Sequence, residues 1–273
     1  MGRAGADAVE AQYARTDVAT AIQSALRAAG KDPDHLTPDD LAPLEEFHIG
    51  GRRASIELAE MAAFPPDSHI IDVGAGLGGP ARLLAGRFGC RVTTLDLTAD
   101  YCRAAEMLNR ATGLSERVTV CQGSALDLPF ADGTFDGAWT QHASMNIADK
   151  ARLYREIRRV LRPGATFALH DVQAGPEQPI AFPVPWADDP SISFLVTPAE
   201  TRILVRGAGF EVVHWTDRTG DAIQFFHAWA AAADRPVLGV HVYVPDLATK
   251  SRNQVRNFEE NRLAVIQAVF RAV

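Results

Sequence analysis

The chain has 273 residues, 47% of them hydrophobic, and a formal net charge of −7. That length suits one large α/β domain with insertions or two small domains, with apolar residues enough for a sizeable core. The acidic balance speaks against nucleic acid as the main partner, no apolar run is long enough to span a bilayer, and the polar, Ala-rich start Met1 to Tyr13 does not read as a signal peptide, so a soluble cytoplasmic protein is expected.

In chain order, residues 7–30 read as one amphipathic helix, with Val9, Tyr13, Val18, Ile22 and Leu26 on one face and Gly30 as its stop. Lys31 to Leu44, rich in Asp and Pro, reads as loop plus a short turn. Glu45 to Gly51 breaks the pattern, and Arg52 to Ala63 resumes a helix that Pro65-Pro66-Asp67 ends. Strands are then expected near 68–73, 91–96, 117–122, 135–141 and 165–171, and helices near 79–88, 99–112 and 149–162, with Pro163-Gly164 turning into the fifth strand. The alternation argues for parallel βαβ units, and most of these strands are apolar on both sides, as a covered sheet requires.

The Pro-rich segment 173–194 is a long loop, the kind that is usually functional. Thr197 caps the next helix, and Glu200 completes a capping box. A sixth strand is expected near 210–216. Residues 219–262 look mainly helical with an interruption near 236–243, and Leu263 to Phe270 fits either a strand or more helix.

Cys90, Cys102 and Cys121 match no metal or redox spacing. Cys90 and Cys121 sit in or beside expected strands and read as buried inert thiols. His214, His227 and His241 offer no metal-ligand spacing. Arg155, Arg158, Arg159 and Arg162 recur at helical spacing and read as a solvated helix face.

The most informative stretch is Ile70-Ile71-Asp72-Val73-Gly74-Ala75-Gly76-Leu77-Gly78-Gly79-Pro80. An apolar strand ends in an acid, turns through glycines and enters a helix whose first N–H groups are free to meet a ligand. Pro80 suits the first helical turn. A nucleotide-type cofactor site follows. Gly74, Gly76 and Gly79 satisfy the dinucleotide spacing, and Asp96, 20 residues after Gly76, can take two ribose hydroxyls, so both NAD(P) and S-adenosylmethionine stay open at this point. Three features tip the balance. Asp72 stands where it can serve an α-amino group. About 67 residues precede the first strand. Gly123-Ser124-Ala125-Leu126 has a natural place beside an adenine, with Ser124 able to bond the exocyclic amine and Leu126 to pack on the ring.

Together, Asp72-Val73-Gly74-Ala75-Gly76, Asp96-Leu97, Gly123-Ser124-Ala125 with Leu128-Pro129-Phe130, Phe135-Asp136 and Leu161-Arg162-Pro163-Gly164 resemble the class I S-adenosylmethionine-dependent methyltransferases over about residues 68–217. Phe47-His48-Ile49-Gly50-Gly51 and Gln141-His142-Ala143-Ser144-Met145-Asn146-Ile147 resemble, within that class, the bacterial sarcosine/dimethylglycine N-methyltransferase-like group. Two positions depart from the family pattern: Ser124, where Asp is frequent, and Ala75, where Cys or Ser is frequent.

The resemblance implies a doubly wound, mostly parallel α/β sheet of seven strands whose last strand is antiparallel, which favours a strand over 263–270. It implies a helical N-terminal cap over 1–64, a cofactor-binding core over 65–218, a helical insertion over 219–262 that covers the substrate pocket, and a final strand over 263–273. It implies S-adenosyl-L-methionine as cofactor and a small-molecule methyl acceptor, most simply a small amine, with O- or C-methylation or an NAD(P)-dependent oxidoreductase as alternatives.

Methyl transfer from a sulfonium needs alignment and a dry site, and a base only where the nucleophile carries a proton. His142, after the fourth strand at the ligand-binding edge of the sheet, is the first candidate, for catalysis or substrate contact. Gln141 is expected at the cofactor's methionine end. His48, the second catalytic candidate, and Gly51 lie, by the family analogy, over the cofactor, although His48 also suits a helix-start cap or a surface position. Tyr13 either bonds the cofactor carboxylate or packs in the core. His170 and Asp171 end the fifth strand and could orient substrate or bond the following loop. Trp186 could stack on a substrate or face a cation, and equally it and Phe182 could simply anchor their loop.

Overall fold

The computed structural model describes residues 3–13, 17–231 and 237–273. Its strands are β1 (His69–Val73), β2 (Arg91–Asp96), β3 (Val118–Gln122), β4 (Phe135–Gln141), β5 (Leu161–Ala174), β6 (Phe210–Asp217) and β7 (Leu263–Ala272). Its helices are α1 (Arg3–Tyr13), α2 (Val18–Ala28), α3 (Pro38–Glu45), α4 (Gly51–Ala62), α5 (Gly79–Phe88), α6 (Ala99–Ala111), α7 (Lys150–Val160), α8 (Pro198–Gly207), α9 (Thr219–Ala231) and α10 (Leu247–Glu259).

Among the described residues the strands form one seven-stranded sheet in the order β3-β2-β1-β4-β5-β7-β6. β1 to β5 pair in parallel, whereas β7 runs antiparallel to both β5 and β6. The strand reading of 263–270 is therefore the right one. An antiparallel β7 between β5 and β6 departs from the parallel 3-2-1-4-5-6 order of dinucleotide folds, which counts against the NAD(P) oxidoreductase alternative. The order reverses between β1 and β4, whose carboxyl ends flank the crevice where ligands bind in such sheets.

Both faces of the sheet are covered. On one, Leu153, Ile157 and Val160 of α7 and Val205 of α8 bury against Phe167, Phe210 and Phe270. On the other, Leu58 and Ala62 of α4 and Ala81 and Leu84 of α5 bury against Ile70, Val92, Trp139 and Ala168. Double coverage is why these strands lack polar alternation.

The amino-terminal region departs from the single helix expected over 7–30. α2 starts anew because the Asp17 side chain accepts from Thr20 N at 3.2 Å, capping it. Residues 14–16 of the expected helix lie outside the described residues. The apolar repeat still holds within α2, where Val18, Ile22 and Leu26 are buried. The segment expected as loop holds α3, which Thr37 and Asp40 open with a reciprocal capping box and Pro38 at the first turn. β5 begins earlier than expected, at Leu161, because a bulge lets the strand pass through Pro163 and Gly164 (φ +76°) and still pair with β4. Of the cysteines, Cys90 and Cys102 are buried, but Cys121 near the end of edge strand β3 is only half-buried. No helix among the described residues is long and apolar enough to cross a membrane.

Candidate functional site

A cavity of about 650 Å³ opens at the carboxyl ends of β1, β2 and β4. The glycine turn forms its floor. Gly74 N and Ala75 N both donate to Leu95 O, at 2.8 and 3.2 Å, which ties the turn to the end of β2. Asp96 then locks it: Oδ2 accepts from Gly76 N at 2.8 Å and Oδ1 from Thr98 N at 2.9 Å. Each oxygen keeps a lone pair for a further donor. Burial holds the Asp96 carboxyl above the ordinary aspartate range, against the pull of these N–H groups. Gly74 permits closeness here, since a Cβ would fall 2.3 Å from the Ala143 Cβ. Gly79 does the same at the start of α5, where a Cβ would meet Glu45 Cγ at 2.8 Å.

Asp72 lies beneath the turn, 1% exposed. Its Oδ2 is buried and has no partner among the described residues. Burial, and then the nearby Asp96 carboxylate, push its carboxyl up to about 8. An acid in that condition is stabilised by a cationic ligand group. The whole set fits S-adenosylmethionine: Asp72 for its α-ammonium, Asp96 for its ribose hydroxyls, and Gly123 to Leu126 for the adenine. Leu97, Ser124, Ala125 and Leu126 all line the cavity. Ser124 Oγ already accepts from Leu126 N at 3.2 Å, so its hydroxyl is shared with the turn it sits in.

Gln141, His48 and His142 line the same cavity and belong to one network. Trp139 Nε1 donates to Gln141 Oε1 at 3.2 Å, and Ser55 Oγ donates to the same oxygen at 3.3 Å. Indole N–H is a donor only, so the Gln141 amide is fixed with its nitrogen toward His170 Nδ1, to which it donates at 3.0 Å. His48 Nε2 lies 2.9 Å from Glu46 Oε2, 2.9 Å from Ser55 Oγ and 3.1 Å from Gly51 O. Two of those three accept only, so Nε2 carries the hydrogen and the lone pair stays on Nδ1.

His142 is held at φ +50°, its N donating to His170 O at 2.8 Å. Its Nε2 is buried without a partner among the described residues. Its ring centroid stands 6.0 Å from that of His48 and 4.8 Å from that of His170. Burial first, then the neighbouring His170 and His48, hold its imidazole well below the usual histidine range, so the ring is neutral at physiological pH.

Several expected contacts are arranged differently. His170 and Asp171 do not line the main cavity. His170 sits behind Gln141, its lone pair taken by the amide, and lines a separate small cavity beside Arg218. Asp171 accepts from Ser144 N at 3.2 Å and from Val172 N at 3.1 Å, inside the protein. Tyr13 lines the cavity, but its hydroxyl donates to Asn146 Oδ1 at 2.8 Å. Trp186 also lines it, and its Nε1 donates to Ser193 Oγ at 3.0 Å, so the ring is both wall and loop anchor.

The sequence reading missed Glu45, Glu46 and Ser55. Glu45 forms a fully buried pair with Arg82, whose Nε donates to Glu45 Oε2 at 3.1 Å and whose Nη1 donates to Asn109 Oδ1 at 2.7 Å. Arg82 reads as an ordinary helix residue, and only the packing of α3 on α5 closes the pair. The one local signal was an acid pair directly before Phe47-His48.

Residues 71–169 match the family model described as "Methyltransferase domain". The chain is 34% identical over 154 residues to a sarcosine/dimethylglycine N-methyltransferase of Halorhodospira halochloris, covering 56% of this chain and 55% of that protein. It is 27% identical over 222 residues to an O-methyltransferase of Penicillium expansum, covering 70% and 79%. It superposes with a TM-score of 0.66 on a crystal structure provisionally named a sarcosine dimethylglycine methyltransferase, from Galdieria sulphuraria, at 19% identity over 92% of this chain and 98% of that one. The chain spans about half the length, or less, of the first curated relatives it matches.

Proposed function

We propose, from the match of residues 71–169 to a methyltransferase-domain model and the cofactor-sized site above them, that the chain is a class I methyltransferase that carries a methyl group from S-adenosyl-L-methionine to the nitrogen of a small amine. One observation carries the cofactor half of this reading. Asp72 is a buried acid with an unpartnered oxygen beneath a glycine turn, and a cationic ligand group placed there would relieve it. When bound, the cofactor supplies a methyl group already activated on a sulfonium.

The chain's own residues bind, align and exclude water. An alkyl amine arrives protonated and must lose that proton before it can attack. The neutral, buried His142 Nε2 is the group we assign to accept it. Gln141, fixed by Trp139 and Ser55, holds the strand end from which His142 projects. His48 stands beside His142 as the second imidazole of the site. The 219–262 segment forms part of the acceptor wall through Phe225, Phe226 and Leu247, in keeping with a covering role for it.

A hydroxyl acceptor is the second reading. A neutral buried imidazole serves a phenol as readily as an ammonium, and the relative from Penicillium expansum is named an O-methyltransferase. Calorimetric titration with S-adenosylhomocysteine, with NADH as control, tests the cofactor half. Saturable binding of the first alone is expected. No binding of it to a folded sample sinks the reading. Turnover of amines but not of matched phenols then separates the two acceptors.

A further inference from the structure

The cavity lining holds two carboxyl groups and an apolar cluster. The Glu46 side chain is 5% exposed. Its Oε2 accepts from His48 Nε2 at 2.9 Å, and Ser55 Oγ, whose one proton goes to Gln141 Oε1, lies 3.2 Å away. Its Oε1 is buried and has no partner among the described residues. The neighbouring Glu45 likewise keeps Oε1 buried and unpartnered, although its other oxygen is held by Arg82. Both residues line the cavity. A buried carboxyl oxygen left without a donor is costly, and a ligand N–H would offset that cost.

Another part of the lining is apolar. Met145, Trp186 and Phe226 are buried members of one cluster, with Phe225 packed on it. Of the described arginines that line the cavity, Arg52 is committed to Asp39 at 3.1 Å and Pro38 O at 3.0 Å, and Arg152 is exposed on α7, where it acts on the Glu156 carboxylate.

We propose that the methyl acceptor is a hydrophobic amine without a carboxylate, its nitrogen bound by Glu46 and its apolar body seated against Met145, Trp186 and Phe226. The proposal rests on the methyl-transfer reading and narrows its substrate. An amino acid such as sarcosine would bring a carboxylate into a lining that already carries two carboxyl groups. A neutral apolar compound would leave Glu46 Oε1 unsatisfied. An amine on an aromatic or aliphatic body satisfies both parts of the lining.

The test uses protein saturated with S-adenosylhomocysteine and three probes: 2-(1-naphthyl)ethylamine, 2-(1-naphthyl)ethanol and sarcosine. Binding is read by calorimetry. The naphthyl amine should bind about tenfold or more tighter than the alcohol, as a hydrogen-bonded charge requires, and sarcosine should bind more weakly than either. Glu46→Gln should bring amine and alcohol to similar affinity while S-adenosylhomocysteine still binds, which shows the variant is folded. Phe226→Ala should weaken both naphthyl probes together. Equal binding of amine and alcohol to the unaltered chain, or sarcosine as the best of the three, overturns the proposal. So does an undiminished amine preference in Glu46→Gln. Failure of S-adenosylhomocysteine itself to bind overturns the methyl-transfer reading, a different result from its binding with no response to the naphthyl amine.

Discussion

Gly74 and Ala143 are in such close contact that a methyl group on the first would lie 2.3 Å from the methyl of the second. The contact joins the ends of β1 and β4, the two strands that flank the crevice. Gly74 is also held at φ +76°, which an L side chain resists. Gly74→Ala should therefore lower stability by roughly 2–4 kcal/mol, from overpacking plus backbone strain, and abolish binding of S-adenosylhomocysteine. Adding Ala143→Gly should restore the packing part and leave the strain. Urea unfolding of the single and double variants checks this, and equal stabilities would show that the contact is not tight.

Asp72 ties ligand binding to pH. In the unliganded chain its carboxyl titrates near about 8, against an ordinary 3.8. It therefore holds its proton at neutral pH, and a cationic amino group placed against it should expel that proton. Titration of S-adenosylhomocysteine near pH 7, in buffers of different ionisation heat, should show release of roughly one proton, with affinity climbing as pH rises toward 8. Without ligand the sign is reversed. A folded-state value above the unfolded one contributes stability below the unfolded value, lost as pH rises through the folded one. Asp72→Asn should flatten both dependences.

His142→Ala should cut kcat by about 10²–10⁴, the usual worth of a general base, with little change in S-adenosylhomocysteine affinity. Because burial keeps this imidazole well below the usual histidine range, kcat for the intact enzyme should show no acid limb near pH 6.5 from this residue. A fall in cofactor affinity with kcat unchanged would move His142 out of the catalytic role.

Arg82 and Glu45 are both fully buried as a pair. Replacing Arg82 with Leu leaves a buried carboxylate facing no cation and strips Asn109 Oδ1 and Leu77 O of a donor. A loss of roughly 3–5 kcal/mol is expected. Arg82→Leu with Glu45→Leu should recover a good part of it. Unfolding midpoints of the two variants decide, and a double variant no better than the single would show that the charge is not what costs.

The strands were legible because burial on both faces leaves long apolar runs, as in β1 and β4, and turn residues punctuate them. The glycine turn was legible because backbone approach to a ligand admits few residue types. The amino-terminal helices were harder. Val18, Ile22 and Leu26 repeat correctly, yet one capping aspartate, Asp17, starts a new helix within the repeat. α3 carried its signal in Thr37-Pro38-Asp39-Asp40, outweighed by the Pro and Asp content around it.

Local chemistry, then, determined the sheet, the cofactor turn and its acids, because each is encoded in residues close together along the chain. Tertiary structure alone decided which groups meet at the acceptor wall. Glu46 reaches His48 and Ser55, Ser55 reaches Gln141 across 86 positions, and Arg82 finds Glu45 across 37. It also turned His170 and Asp171 away from the main cavity, because β5 continues past both to Ala174. Side chains from separate elements settle such contacts by packing and desolvation, and neither leaves a mark in the spacing of residues along one segment.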